Sequence, residues 1–280
     1  MLPNHGPGTA PPEADSTPAD KRPVQIRVQN LTKTYESGDG PIEALDGLDL
    51  TVHEREFFCL LGPSGCGKST LLRLVSGLLE PEAGSIEFVG DGTDLTTNLV
   101  FQEHGIFPWK SVLDNVAFGL KMDGLGKQRR YEIAREYVEK VGLDGFEDAY
   151  PHQLSGGMKQ RVGIARAFAN DPDVLLMDEP FGDLDAQTKR HLQEELLALW
   201  NDSPKTVIYV THDIEEAITL GDRLGVLSDR PGSLRAVLDV DLARPRTRES
   251  IDFERLETLQ RQVWSLLEEP ATHADSRDRP

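Results

Sequence analysis

Gly62-Pro63-Ser64-Gly65-Cys66-Gly67-Lys68-Ser69-Thr70 is the stretch that decides how this chain folds. It fits G-x-x-x-x-G-K-[ST], with Gly62, Gly67, Lys68 and Ser69 at the fixed positions. The apolar run Phe57 to Leu61 before it reads as a buried strand, and Leu71 to Val75 after it has helical spacing. Glycines let such a loop curl so that its N–H groups point inward as an anion nest, and the helix N-terminus adds partial positive charge. Lys68 is placed to reach the β- and γ-phosphates, and the Ser69 hydroxyl to ligate Mg²⁺. The rival, a glycine-rich turn opening an ordinary helix, loses weight because strand and helix both stand where the motif needs them. Residues 62 to 70 therefore read as a nucleotide-phosphate site.

Working outward, composition sets limits. The chain has 280 residues, enough for one large domain or two small ones, and 38% of them are apolar, gathered in marked runs. Its formal charge is −18, from 48 acidic against 30 basic residues. That balance argues against a protein that coats nucleic acid, which needs a basic face. It suits a solvated acidic surface, and a sharper reading is adaptation to high salt, where such self-repulsion is screened. No window of about eighteen apolar residues is present and no secretory signal is visible, so a cytoplasmic location is expected. Two cysteines do not make a disulfide scaffold. Cys59 reads as a packing thiol. Cys66 lies in the phosphate loop, where the helix terminus and Lys68 are expected to lower its pKa, so that alkylation blocks nucleotide binding.

Residues 1 to 22, rich in Pro, Ala, Asp and Thr, read as a disordered lead-in. Val24 to Val28, Ala44 to Val52 and Ser85 to Val89 read as strands of a small antiparallel layer beside the nucleotide site. The continuous runs Val174 to Met177 and Thr206 to Val210 suit parallel strands covered on both faces. With the helical stretch Ala186 to Trp200 between them they form a βαβ unit, and a further strand is expected near Leu224 to Leu227. The expected organisation is a domain over 23 to 242 with a helical part at about 101 to 165, an accessory helix within 243 to 269, and a tail over 270 to 280. Phe253, Leu256, Leu259, Val263, Leu266 and Leu267 mark that accessory helix as amphipathic, packed on the domain.

Other chemistry falls at the ends of the apolar runs. Asp178 and Glu179 follow 174 to 177, where parallel sheets gather ligand-binding groups. One carboxylate there can hold Mg²⁺ through its waters, and the adjacent one can activate the attacking water. His212, after the run ending at Thr211, can reach a γ-phosphate. Gln102, after Leu99 to Phe101, offers an amide for water or metal. Leu154-Ser155-Gly156-Gly157-Met158 is the most discriminating stretch: Ser155 can cap the helix that follows, and Gly156 and Gly157 leave its first N–H groups open to phosphate. A single nucleotide does not need two anion sites from one subunit. A homodimer is the economical answer, each phosphate loop facing the other copy's Ser-Gly-Gly.

On these motifs, over roughly residues 24 to 230, the chain resembles the ATP-binding subunit of an ABC transporter. The resemblance implies an α/β P-loop ABC-type ATPase fold: a mainly parallel sheet core, an antiparallel β subdomain and a helical subdomain. It implies ATP with Mg²⁺ held by Ser69, Gln102 and Asp178, and adenine stacked on Tyr35. Gln102 becomes the residue coupling the site to a membrane partner. Ser155 and Gly157 become ligands of the partner copy's γ-phosphate, Glu179 the general base, Asp185 the dimer-contact aspartate and His212 the γ-phosphate switch. Phe101 to His104, Phe107-Pro108-Trp109, Met158 and Phe181 to Thr188 narrow the likeness to the nitrate/sulfonate/taurine importer group. Asp183 departs from that group's usual alanine and puts tight isolated dimers at low salt in doubt. The resemblance implies transmembrane permease subunits, an extracytoplasmic solute-binding protein and a place on the cytoplasmic membrane face, with no nucleic acid. A soluble ABC ATPase acting in iron–sulfur assembly or on nucleic acid is the rival. The interval from Lys68 to Leu154 has no room for the coiled coil of the DNA-repair members. A P-loop kinase would have no use for 154 to 158.

Overall fold

The computed structural model describes residues 21–268 apart from 39, 91–94, 103–104, 245, 247–249 and 251. The expectations for the lead-in before residue 21, for Glu103 and His104, and for the tail from Pro270 lie outside the described residues. In chain order the strands are β1 (Val24–Tyr35), β2 (Ile42–His53), β3 (Phe57–Leu61), β4 (Ala83–Phe88), β5 (Thr97–Val100), β6 (Val174–Asp178), β7 (Thr206–Thr211), β8 (Arg223–Leu227) and β9 (Leu234–Asp239). The helices are α1 (Lys68–Val75), α2 (Val112–Val116), α3 (Phe118–Met122), α4 (Lys127–Lys140), α5 (Gly156–Ala169), α6 (Ala186–Asp202), α7 (Ile214–Leu220) and α8 (Phe253–Glu268).

A six-stranded sheet runs in the order β5-β6-β7-β3-β8-β9, parallel throughout except at the β9 edge. All five residues of β3 are buried, as a strand flanked by two parallel neighbours and covered on both faces requires. The period of two then sorts its side chains. Phe57, Cys59 and Leu61 join the core shared with Phe168, Trp200 and Tyr209, whereas Phe58 and Leu60 join the core shared with Ile26, Leu48 and Leu71. Each fully buried side chain of this kind contributes about 2 kcal/mol. The second core is closed by the antiparallel sheet β2-β1-β4, which is the expected small β layer. Helices α2 to α5 pack on one another beyond β5.

The edge strand β9 was not expected from the sequence. Its pattern is half exposed, without the continuous apolar run that marks β3, β6 and β7. The C-terminal helix α8 falls within residues 243 to 269 and buries Leu259 and Val263 against α7 and β8. The segment leading to it is anchored by Arg246, 8% exposed, whose guanidinium donates to the carbonyls of Ile218 at 2.7 Å and Gly221 at 2.5 Å. These are C-terminal carbonyls of α7 that would otherwise lack partners. Burial, with help from nearby Arg244, pulls the Arg246 pKa down to about 10.

Candidate active site

Strand order brings the chemistry together. β6, β7 and β3 are neighbours, with Asp178 in register with Val210 and Leu61 with Thr211. The residues that follow these strands therefore emerge side by side at one edge: Glu179 after β6, His212 after β7 and the phosphate loop after β3. A cleft of about 410 Å³ is lined by Ser64, Gly65 and residues 67 to 70 of the loop together with Tyr35, Gln102, Glu179 and Arg230.

Gly67, at φ +102°, caps α1 without a side chain, so the first N–H groups of that helix stay open to an anion. A Cβ at Gly67 would lie 2.6 Å from the Ala44 carbonyl oxygen, so glycine is required there. Lys68 is 4% exposed, and its ammonium donates to the carbonyls of Gly62 at 2.8 Å and Pro63 at 3.0 Å. The same Nζ lies 3.7 Å from Glu179 Oε1. Ser69 Oγ donates to Asp178 Oδ1 at 2.9 Å, and Tyr35 OH lies 3.3 Å from Thr70 Oγ1. Burial raises the Asp178 pKa, aided by the adjacent Glu179 charge and opposed by the Ser69 hydrogen bond.

Glu179 has φ +44°, the left-handed region that non-glycine residues rarely adopt. Its N–H donates to the Val210 carbonyl at 3.0 Å, which ties the turn to β7. Its Oε2 lies 2.7 Å from His212 Nδ1. Strained backbone at a charged residue in a cleft is a recurrent mark of functional sites. Ser69, Asp178 and Gln102 present a hydroxyl, a carboxylate and an amide oxygen, and the first two already touch. Hard oxygen donors of this kind fit Mg²⁺.

Ser155 and Gly157 lie elsewhere, in a cleft of about 1170 Å³ that also takes in Asp185 and shares no lining residue with the phosphate-loop cleft. Ser155 caps α5, its Oγ accepting from Met158 N–H at 3.3 Å, as its sequence position suggested. Asp185 caps α6 in the same manner, accepting from the N–H groups of Gln187 and Thr188.

One expectation is overturned. Cys66 is 1% exposed, and burial raises its thiol pKa despite the nearby Lys68 ammonium. It is a packing thiol under the loop, as Cys59 is within β3. One element of the site was missed. Arg230 donates from Nε to the Gly65 carbonyl at 2.9 Å, and Gly232 packs under Cys66 so closely that a Cβ would lie 2.0 Å from the Cys66 carbonyl oxygen. The Pro231-Gly232 pair was the only signal, and it marks a turn without saying what the turn touches.

A phosphate nest, a buried lysine, a hydroxyl–carboxylate pair and a carboxylate–imidazole pair on one parallel sheet define a P-loop nucleotide hydrolase. Residues 45–182 match the family model described as ABC transporter. The chain is 51% identical over 239 residues to an uncharacterised ABC transporter ATP-binding protein of Methanocaldococcus jannaschii, covering 84% of this chain and 89% of that one. It is 43% identical to an aliphatic sulfonates import ATP-binding protein of Bacillus thuringiensis, covering 84% and 94% of the two chains. It is also 43% identical to a nitrate import ATP-binding protein of Synechocystis, covering 78% and 84%. Among solved structures, the dimeric post-hydrolysis state of an ATP-binding cassette bound to ADP and Pi matches with TM-score 0.67 at 33% identity, covering 77% of this chain and 98% of that one. The chain belongs to the ATP-binding subunits of ABC transporters, and it is an ABC-type ATPase.

Proposed function

We propose that this chain is the ATP-hydrolysing subunit of an importer for a small anion such as a sulfonate or nitrate, working as a homodimer with separate transmembrane permease subunits. The observation that carries the mechanism is the separation of the two anion sites. Lys68, Ser69 and Glu179 share one cleft, with His212 joined to it through Glu179 at 2.7 Å, and Ser155 and Gly157 with Asp185 share another. Two copies related by a two-fold axis bring each phosphate loop against the other's Ser155 cleft, so the dimer closes when both sites hold ATP.

In that closed state the N–H groups of residues 64 to 70 bind the phosphates, and Lys68 exchanges its contacts with the Gly62 and Pro63 carbonyls for the β- and γ-oxygens. Tyr35 stacks on adenine. Ser69 and Asp178, with Gln102, hold Mg²⁺, which when bound neutralises charge on the β- and γ-phosphates. Glu179 accepts the proton of the attacking water, and His212 fixes the base through its Nδ1 and turns the rest of the ring toward the γ-phosphate. Ser155 and Gly157 of the second copy bind the same γ-phosphate, and Asp185 contacts the facing subunit. Gln102 couples this cycle to the permease.

No helix among the described residues is long and apolar enough to cross a membrane. The importer likeness of residues 101 to 109 supports import, a peripheral place on the cytoplasmic membrane face and an extracytoplasmic solute-binding protein. Purification of the tagged chain from its native membrane tests this. A multi-span polypeptide in about equal amount is expected. Iron–sulfur, ribosomal or DNA-bound partners in its place would overturn the transport role and leave the ATPase.

A further inference from the structure

Glu216, in α7, is a 4%-exposed carboxylate that the hydrolytic chemistry above does not use. Its two oxygens collect donors from the end of β7 and from α6. Tyr209 OH donates to Oε1 at 2.9 Å and Gln193 Nε2 donates to the same oxygen at 3.0 Å. The Thr211 hydroxyl donates to Oε2, and Lys189 Nζ lies 3.4 Å from that oxygen. A buried carboxylate is held in place by such a set, because each oxygen would otherwise stay desolvated without a donor.

What this cluster holds is the turn that carries His212. Thr211 precedes His212, and its Oγ1 also accepts the Asp213 N–H at 3.0 Å. Asp213 follows His212, accepts the Glu216 N–H at 3.2 Å and pairs with Lys189 at 2.8 Å. Both neighbours of His212 are thus tied to Glu216, while the His212 ring projects from the turn to Glu179 at 2.7 Å. The backbone that aims the imidazole is anchored below the site, and the ring itself remains free to meet a phosphate.

We propose that Glu216 is a positioning residue for hydrolysis: through Thr211 and Asp213 it sets the direction of His212 and hence the placement of the Glu179 carboxylate. The inference rests on the hydrolytic roles given to Glu179 and His212. Its signature is a loss confined to turnover, because Lys68 is held by the Gly62 and Pro63 carbonyls and Tyr35 lies against Thr70, apart from the Glu216 hydrogen bonds to Tyr209 and Thr211. A network that only stabilises the core would give a different result, lowering the melting temperature and nucleotide affinity together.

The test uses the full chain carrying Thr211→Val, which removes the shared hydroxyl at nearly constant shape, and Thr211→Ser, which keeps it. Steady-state and single-turnover hydrolysis, binding of a fluorescent ATP analogue, thermal melting and the NMR titration of the His212 imidazole are measured. Thr211→Val is expected to lower kcat about tenfold or more with KM and nucleotide Kd within about threefold, to shift the His212 titration, and to add no loss in a His212→Ala background. Thr211→Ser is expected to restore turnover to within about threefold. Glu216→Gln, which keeps the shape but removes the charge facing Lys189, should reproduce the turnover loss if Thr211→Val fails to fold. Unchanged kcat in Thr211→Val, an equal loss in Thr211→Ser, or losses that multiply with His212→Ala would each overturn the proposal. Normal turnover in Glu179→Gln would overturn the hydrolytic roles and this inference with them. An inactive Glu179→Gln beside a normal Thr211→Val sinks the positioning role alone.

Discussion

His212 Nδ1 lies 2.7 Å from Oε2 of Glu179, and the other oxygen of that carboxylate lies 3.7 Å from Lys68 Nζ. The imidazole comes from the end of β7, the carboxylate from the end of β6 and the ammonium from the start of α1. Three elements therefore converge on one carboxylate at the mouth of the phosphate loop. A carboxylate held on both sides does not have to search for its orientation when water arrives, which is where much of a general base's catalytic value lies.

Ser69 and Asp178, joined by a 2.9 Å hydrogen bond, are the proposed core of the Mg²⁺ site. Chelation with EDTA is expected to abolish hydrolysis. Ser69→Ala should raise the Mg²⁺ concentration needed for half-maximal turnover by about tenfold or more, the usual effect of losing a polar group from a metal's surroundings. An unchanged Mg²⁺ requirement would remove Ser69 from that role.

Cys66 is buried with a raised thiol pKa, so it should resist modification despite its place in the loop. Iodoacetamide at neutral pH is expected to label neither cysteine in the folded protein and both in urea. Cys66→Ala should keep nucleotide binding. Rapid native labelling at Cys66, read by mass spectrometry, would contradict its burial.

Gly232 supports the phosphate loop from below, where an added Cβ would meet the Cys66 carbonyl oxygen at 2.0 Å. Backbone cannot step aside as a flexible side chain can. Gly232→Ala is expected to cost about 1–3 kcal/mol of stability and to weaken ATP binding, seen as a lower melting temperature and a higher nucleotide Kd. A variant that melts and binds like the parent would show that the loop accommodates the methyl group.

Glu56 sits at the opposite end of β3, fully buried beside Arg223 at 3.1 Å. Burial outweighs that cation and pushes its pKa from 4.5 up to about 7. Between those values the unfolded chain has released the proton and the folded chain still holds it. Stability from this group is therefore complete below pH 4.5 and is lost as pH rises toward 7, by about 3 kcal/mol at most. Urea unfolding from pH 4.5 to 8 should show that decline in the parent and a flatter profile in Glu56→Gln. Parallel profiles would mean that Glu56 titrates normally.

The strands of the parallel sheet were legible because parallel strands buried on both faces leave continuous apolar runs, and the candidate site residues Asp178, Glu179 and His212 stand at or just beyond the ends of β6 and β7. The antiparallel layer was legible from alternation. β9 was not, since an edge strand with one wet side carries no such run. Cys66 was misjudged because proximity to Lys68 can be read along the chain whereas burial cannot. Glu216 and Arg246 were invisible for the same reason: a buried charge looks like a surface charge until its partners are known, and among these Gln193 lies 23 residues from Glu216 and Ile218 lies 28 residues from Arg246.

The central claim is that Glu179, held by His212, is the base for ATP hydrolysis at this site. Comparing turnover and ATP binding of the parent chain with Glu179→Gln tests it most directly. The account predicts a loss of turnover of about 10²–10⁴-fold with ATP affinity retained, because a base acts on the reaction and contributes little to holding the nucleotide. Hydrolysis near the parent rate in Glu179→Gln would contradict it.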